Sequence, residues 1–452
     1  MRRKLSMALA MSLLACWLLA VPASAYSAGL VGRNDTLAMV ATSRGGTATA
    51  FIKPDGSLWM WGRDGCMLGQ GESAGRSNAR PVKVMDNVRS VSGGEGYAAA
   101  IKTDGTLWMW GENYRSVLGD GTDKNSYRPK KIMDNVAAVS CGYTHTAAIK
   151  TDGSLWMWGE NDDGELGNNL KANSSSTEEN PAVAGIIGVA PSGERPVQTV
   201  PVKVMDNVRS VACGTSTTFA VTTDGTLWGW GFNGDSCLGL GGTGIRDKAI
   251  GNAKNPQGGA IQTVPAKIMD GVASVYAGSS TAAAIKTDGT LWMWGENWRG
   301  QLGNNLEGTF TRKSGGTAYI YQSTPVQIMS DVASVSLSPN HTCAIKTDGS
   351  LWAWGCAKLL GNNWVGNANT SSSGWKEGLV QTVPVKIMDN VAAVSVSSSE
   401  NRAVKTDGTL WLWGHSASKT DWGMDTNDLF VPTQFPGATA KLPGVSAAGS
   451  GQ

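Results

Sequence analysis

The sequence predicts an all-β chain folded as a seven-bladed β-propeller of four-stranded antiparallel blades. Three observations carry that expectation. The string Asp-Gly-x-Leu-Trp-x-Trp-Gly recurs seven times, starting at Asp55, Asp104, Asp152, Asp224, Asp288, Asp348 and Asp407. Repeats of this kind occur where one unit cannot bury its own apolar faces. The spacing between copies runs from 48 to 72 residues, yet one stretch per unit, between a Leu-Gly step and a later Pro, absorbs the variation; without it each unit is 36 to 38 residues long. The Leu-Trp-x-Trp segment is also apolar on both faces of a strand, so both sides of its sheet need cover. Sheets packed face to face around an axis supply that cover. The competing arrangement is an open stack of sheets.

The elements follow in chain order, with the unit around Asp152 as the example. Strand A is expected at Val136 to Ser140 and strand B at His145 to Lys150, joined by a Gly-containing turn. Asp152-Gly153 then closes a tight hairpin into strand C, Leu155 to Trp158. Its two Trp point one way and Leu155 and Met157 the other, and both Trp of each pair are read as core. The variable loop follows, and strand D starts at Pro201, where a residue without an N–H is tolerated. Asp206-Asn207 turns into the next strand A.

The ends differ from the repeats. Arg2, Arg3 and Lys4 precede an apolar run from Leu5 to Val21, and Ala23-Ser24-Ala25 is a small-residue cleavage site. Residues 1–25 therefore read as a signal peptide cleaved after Ala25, 26–436 as the propeller and 437–452 as a Gly/Ala/Ser-rich tail. The expected location is secreted or cell-surface. Lipid attachment at Cys16 is the weaker alternative, because the apolar run continues past it. No second run is long enough to span a bilayer.

Composition narrows the function. A net charge of +2 and no basic tail point away from nucleic acid. The six cysteines after the leader (Cys66, Cys141, Cys213, Cys237, Cys343, Cys356) match no disulfide module or metal knuckle and read as small buried fillers. No nucleophile elbow, phosphate loop or zinc-helix motif is present, so no enzyme, cofactor or metal is expected. His145 and His341 fall on a framework position and read as structural. Asn161 to Glu165 lacks the alternating acids of a calcium loop.

The pattern VAAVSCGYTHTAAIKTDGSLWMWGENDDGELG at 136–167 resembles the regulator of chromosome condensation repeat, and the resemblance extends from about Asp35 to Pro436. It implies a seven-bladed propeller. The family's founder is a nuclear nucleotide-exchange factor; the leader and the missing basic tail keep that activity from being carried over. The chain is more similar to secreted bacterial members, among them propeller-type β-lactamase inhibitors that plug an enzyme with loops. Departures are local. Cys356-Ala357-Lys358-Leu359 breaks the loop pattern of the sixth unit, and the seventh loses its Leu-Gly step. A composite blade of first and last strands is one way the ring could close.

Because strands alternate in direction, A–B turns and C–D loops share one face, and the Asp-Gly hairpins share the other. Variation concentrates on the first. Partner-binding residues are expected there: Tyr97 and Tyr143 from A–B turns, and Tyr114, Arg115, Asp162, Asp163, Trp298, Arg299, Trp364 and Trp375 from C–D loops, with Trp422 beside them. The expected function is that of a monomeric, non-enzymatic propeller binding an extracellular or cell-surface protein, with inhibition of a secreted hydrolase such as a β-lactamase as the narrower form. The alternative is a carbohydrate-binding module of the cell envelope. An enzyme would need clustered carboxylates, and only Asp162, Asp163 and Glu165 lie close in sequence.

Overall fold

The computed structural model describes residues 39–42, 48–53, 55–62, 66–71, 78–169, 188–189, 196–234, 236–241, 253–254, 260–306, 309–311, 317–319, 321–362, 380–398, 400–414 and 429–434. Residues 1–38 and 435–452, on which the expected signal peptide and Gly/Ala/Ser-rich tail fall, and most of each long insertion, with Trp364, Trp375 and Trp422, lie outside them.

Seven antiparallel sheets follow one another along the chain, each built on four strands hydrogen-bonded in the order A-B-C-D; in blades three and four a two-residue strand, Gly188–Val189 or Ala253–Lys254, adds to the outer side of D. Blade three is Val136–Cys141, His145–Lys150, Leu155–Glu160 and Pro196–Met205. The hairpin between its B and C strands is closed by Gly153 at φ +81°, a left-handed conformation that glycine adopts freely. The D–A step is turned by Asn207 at φ +58°, which a short amide side chain tolerates. Strands A lie innermost and pack against the A strands of both neighbouring blades. A backbone stitch joins them: Cys141 N donates to Ser92 Oγ at 3.1 Å and Cys213 N to Ser140 Oγ at 3.0 Å.

The ring closes without a composite blade. Blade one holds its own strand A, Met39–Thr42, paired with Ala48–Ile52, and blade seven its own strand D, Leu429–Gln434. The two blades meet at their A strands, and Phe51 packs against Ala393 and Val404.

The second Trp of strand C fastens each blade to the one before. Trp158 is fully buried, and its Nε1 donates to the Val117 carbonyl of blade two at 2.7 Å. Trp110 does the same to Met67, Trp230 to Glu165, Trp294 to Cys237, Trp354 to Gln301 and Trp413 to Leu359, at 2.6 to 3.0 Å. This latch explains the Leu-Gly step. The acceptor precedes Leu, and the Gly lies under the neighbouring ring; a Cβ at Gly303 would stand 2.7 Å from Trp354 Nε1. Blade seven lacks that step in its sequence, and Trp61, which would receive it, is only half-buried.

The first Trp of each pair departs from the expectation of a buried core. Trp156 is half-buried near the hairpin face. Its Nε1 donates to Ser154 Oγ at 2.9 Å, and Lys150 Nζ stands 4.4 Å above the ring. One side of the ring packs against the core between blades two and three, and the lysine covers the other.

Strand D also begins earlier than its Pro. Thr199, Val200 and Pro201 together stand opposite Trp158, a bulge in strand D; the short outer strand Gly188–Val189 pairs only with Pro196 and Val197, so the absent N–H of Pro201 costs no ladder bond. The bulge frees carbonyls for the preceding blade's loop. Thr199 O accepts from Gly121 N, Thr263 O from Asn169 N, Ser323 O from Gly241 N and Thr382 O from Asn305 N, at 2.9 to 3.0 Å. The insertions of blades three, four and five therefore start beside strand D of the next blade.

Candidate functional site

A–B turns and C–D loops do share a face: Glu160 N donates to Thr144 O at 2.8 Å and Phe232 N to Ser216 O at 2.8 Å. The C–D loop starts the same way in four blades. Asn113 is buried, and its Oδ1 accepts from Leu118 N at 2.9 Å; Asn161, Asn233 and Asn297 accept likewise from Leu166, Leu238 and Leu302. This amide bridge folds a short loop and holds out the two residues after the Asn. Those residues are Tyr114 and Arg115 in blade two, Asp162 and Asp163 in blade three, and Trp298 and Arg299 in blade five.

The junction of blades two and three gathers the fullest set of groups. Tyr114 is 50% exposed and Tyr143, on the A–B turn of blade three, 36%. The Arg115 guanidinium lies 5.2 Å from the Tyr114 ring centre. Its Nη1 makes a 3.0 Å ion pair with Glu160 Oε1 at the end of strand C of blade three. Burial pushes the Tyr114 hydroxyl above its ordinary range, with Tyr143 close enough to add to the effect. At blade five, Arg299 stacks on Trp298 at 4.4 Å, and Trp298 is 36% exposed.

Two expectations change. Tyr97 is fully buried. It opens strand B, the position held by His145 and His341 in other blades, and its hydroxyl donates to the His145 carbonyl at 2.9 Å while Thr146 Oγ1 donates to it at 3.1 Å. It is an inter-blade packing residue, and no partner reaches it. The acidic loop folds on itself: Glu165 is buried, its Oε2 accepts from Asp163 N at 2.9 Å, and its carbonyl is the acceptor for Trp230. Burial, and then Asp163, push the Glu165 carboxyl well up. Asp162 and Asp163 stay half-buried on the loop face. Glu160 is the site residue the sequence reading missed; its link to Arg115 depends on which blades are neighbours.

His145 and His341 are buried. Burial lowers each to about 4. His145 Nε2 meets Thr218 Oγ1 at 3.0 Å, and His341 bridges Ser338 Oγ and Asn401 Oδ1. That serine–histidine–asparagine run is closed to solvent, and Ser338 Oγ is engaged by the backbone N–H of Asn340 and His341. The six cysteines are free thiols, four of them buried, and burial pushes Cys141 up to about 12. Among the described residues no three His, Cys, Asp or Glu are placed to hold a metal, and no helix is long and apolar enough to cross a membrane.

The regulator of chromosome condensation (RCC1) repeat matches at 104–149, 152–221 and 288–345, and a second form of it at 136–165, 208–237 and 272–301. RUG3, a mitochondrial RCC1 domain-containing protein of Arabidopsis thaliana, is 30% identical over 48% of this chain and 45% of its own length. Ultraviolet-B receptor UVR8 of the same plant is 27% identical over 47% of this chain and 42% of its own. The chain thus spans less than half the length of these relatives. The human E3 ubiquitin-protein ligase HERC2 is 27% identical over only 4% of its length. Among solved structures, yeast Prp20 superposes with a TM-score of 0.62 at 19% identity, covering 84% of this chain and 85% of that one. Human WBSCR16 superposes at 0.61 and 19%, covering 84% and 93%. The likeness to these structures carries the fold. The chain is a seven-bladed propeller that carries matches to the RCC1 repeat between residues 104 and 345.

Proposed function

We propose that the chain is a non-enzymatic binding protein that recognises a partner protein on its loop face. One observation carries this reading: Tyr114, Arg115 and Tyr143 stand exposed or half-buried together across a blade junction, on the face whose C–D loops differ in every blade. Exposed aromatics beside Arg are the residues that anchor protein interfaces. A protein as ligand accords with yeast Prp20, solved bound to Kap60 and described by its binding to Gsp1p and histones. Those particular partners are not transferred.

The leader-like segment at 1–25 places the mature chain, in this proposal, at the cell surface or outside the cell, as a monomer facing an extracellular protein. The narrower form is inhibition of a secreted hydrolase such as a β-lactamase, with loops plugging the enzyme. The test is affinity capture from culture medium and cell envelope with the intact chain, beside Tyr114→Ala and Trp298→Ala. A protein retained by the native chain and lost by either variant is the expected result. Equal retention by all three would remove the loop face from the reading. Titration against a panel of β-lactamases tests the narrower form. The same exposed rings favour a second reading, binding of envelope carbohydrate; a glycan array without hits would dismiss it.

A further inference from the structure

We infer that Arg299, stacked on Trp298, receives a carboxylate side chain from an acidic segment of a partner protein. The inference rests on the loop-face reading above and gives that face a chemistry.

It comes from comparing two junctions built on one plan. Asn113-Tyr114-Arg115 and Asn297-Trp298-Arg299 occupy the same loop position, with the Asn bridging to Leu118 N at 2.9 Å and to Leu302 N at 3.0 Å. Each guanidinium lies against the ring before it. Each buries its Nε without a hydrogen-bond partner. At the first junction the next blade supplies the counter-charge, Glu160, on Arg115. Glu160 directly follows the Gly that ends the Trp-x-Trp-Gly string, its N–H donates to Thr144 O, and it pairs with Val197. In blade six Cys356 holds that place. It follows Gly355, its N–H donates to Asn340 O at 2.9 Å, and it pairs with Val380.

Cys356 is a free thiol and not an acid, and no ion pair among the described residues includes Arg299. The blade-five junction therefore keeps the arginine and its aromatic seat and lacks the acid. A partly buried guanidinium presents a rigid fork of donors that a carboxylate fills, and desolvation makes the unfilled state unfavourable. A single guanidinium matches a single negative charge, which suits a Glu or Asp side chain. The Trp298 ring offers the apolar stem of that side chain a surface.

The test uses the intact chain and a fluorescent peptide of alternating Glu and Gly, with a Gln/Gly peptide of equal length as control, followed by anisotropy at low salt. The Glu peptide should bind more tightly than the Gln peptide. Arg299→Ala should weaken it about fivefold, the scale of a partly exposed ion pair. Cys356→Glu, which restores the internal acid, should weaken it to a similar degree. Glu160→Gln should strengthen binding by releasing Arg115. Thermal melts of each variant check that the ring is intact. Equal binding of the two peptides, or unchanged affinity in Arg299→Ala, would overturn the inference. A partner captured equally by the native chain and Arg299→Ala would leave the loop-face reading standing without this chemistry. A capture that returns nothing would count against that reading, while the peptide titration judges the arginine independently.

Discussion

On the hairpin face, Asp104, Asp152, Asp288 and Asp348 each accept from the N–H and hydroxyl of the Ser or Thr two residues on. That hydroxyl receives the first Trp's Nε1, and a Lys from strand B covers the ring. On the loop face, the residues held out after the bridging Asn are Tyr-Arg in one blade, Asp-Asp in the next and Trp-Arg in another. The hairpins repeat because a three-residue connection leaves its chemistry no freedom. The loops differ because the Asn bridge, the Trp latch and the Leu-Gly step already fix the backbone, and these contacts do not depend on the side chains of the two residues after the Asn. The hydrogen bonds to Ser or Thr hold the hairpin carboxylates below the ordinary range.

The largest effect that would separate the two faces is in the Trp pair of one strand. Trp230→Ala removes a fully buried ring and the bond to Glu165 O, and should cost about 3–5 kcal/mol in urea denaturation. Trp228→Ala, at the half-buried hairpin end, should cost less than half as much. Equal costs would mean that the two ends of the strand are equally buried in solution.

Acid should attack from the loop side. His145 and His341 are lowered to about 4 from an ordinary value near 6.5, so the unfolded chain binds their protons first. The stability they lend is full above pH 6.5 and falls as pH drops toward 4, by up to about 1.4 kcal/mol per pH unit for each histidine. Glu165 runs the other way: its raised pKa withdraws stability as pH climbs above the ordinary carboxyl range. Melting curves between pH 7 and 4 should lose about half of the acid slope in His341→Gln. An unchanged slope would assign it to other groups.

Glycines sharpen the contrast. Gly303→Ala should cost about 1–3 kcal/mol, because the added Cβ meets the Trp354 ring as well as a φ of +71°. Gly289, in a hairpin at φ +81°, has no atom nearer than 3.7 Å to an added Cβ, so Gly289→Ala should lower the melting temperature less. The smallest change belongs to the lysines. Lys102→Met and Lys286→Met should each cost about 0.5 kcal/mol and should be indistinguishable in thermal melts. Unequal losses would show that the hairpin face is less uniform than its hydrogen bonds.

Much of this was legible in the residues. The seven Trp-x-Trp-Gly strings gave the blade number, and the hairpin turns and the B strand of blade three fell where the Asp-Gly and periodic patterns put them. Tyr97 was misplaced because an aromatic next to a glycine turn reads the same whether it points out or into the next blade; only the ring behind it, with the His145 carbonyl, decides. Strand D reaches back past Pro201 because a strand can hold Pro at a bulge, so a Pro does not mark its first residue. Both Trp of each pair were placed in the core because alternation gives a side chain's direction and not the cover it meets.

The sequence by itself determined the repeat unit, its turns and the face on which variation collects, since these depend on contacts between residues close along the chain. Tertiary structure decided which blade each loop touches, how the first and last blades meet, and that Arg115 reaches Glu160 of the next blade. Those contacts join residues 40 or more positions apart, as in the latch from Trp158 to Val117, and such distances are set only when the ring closes.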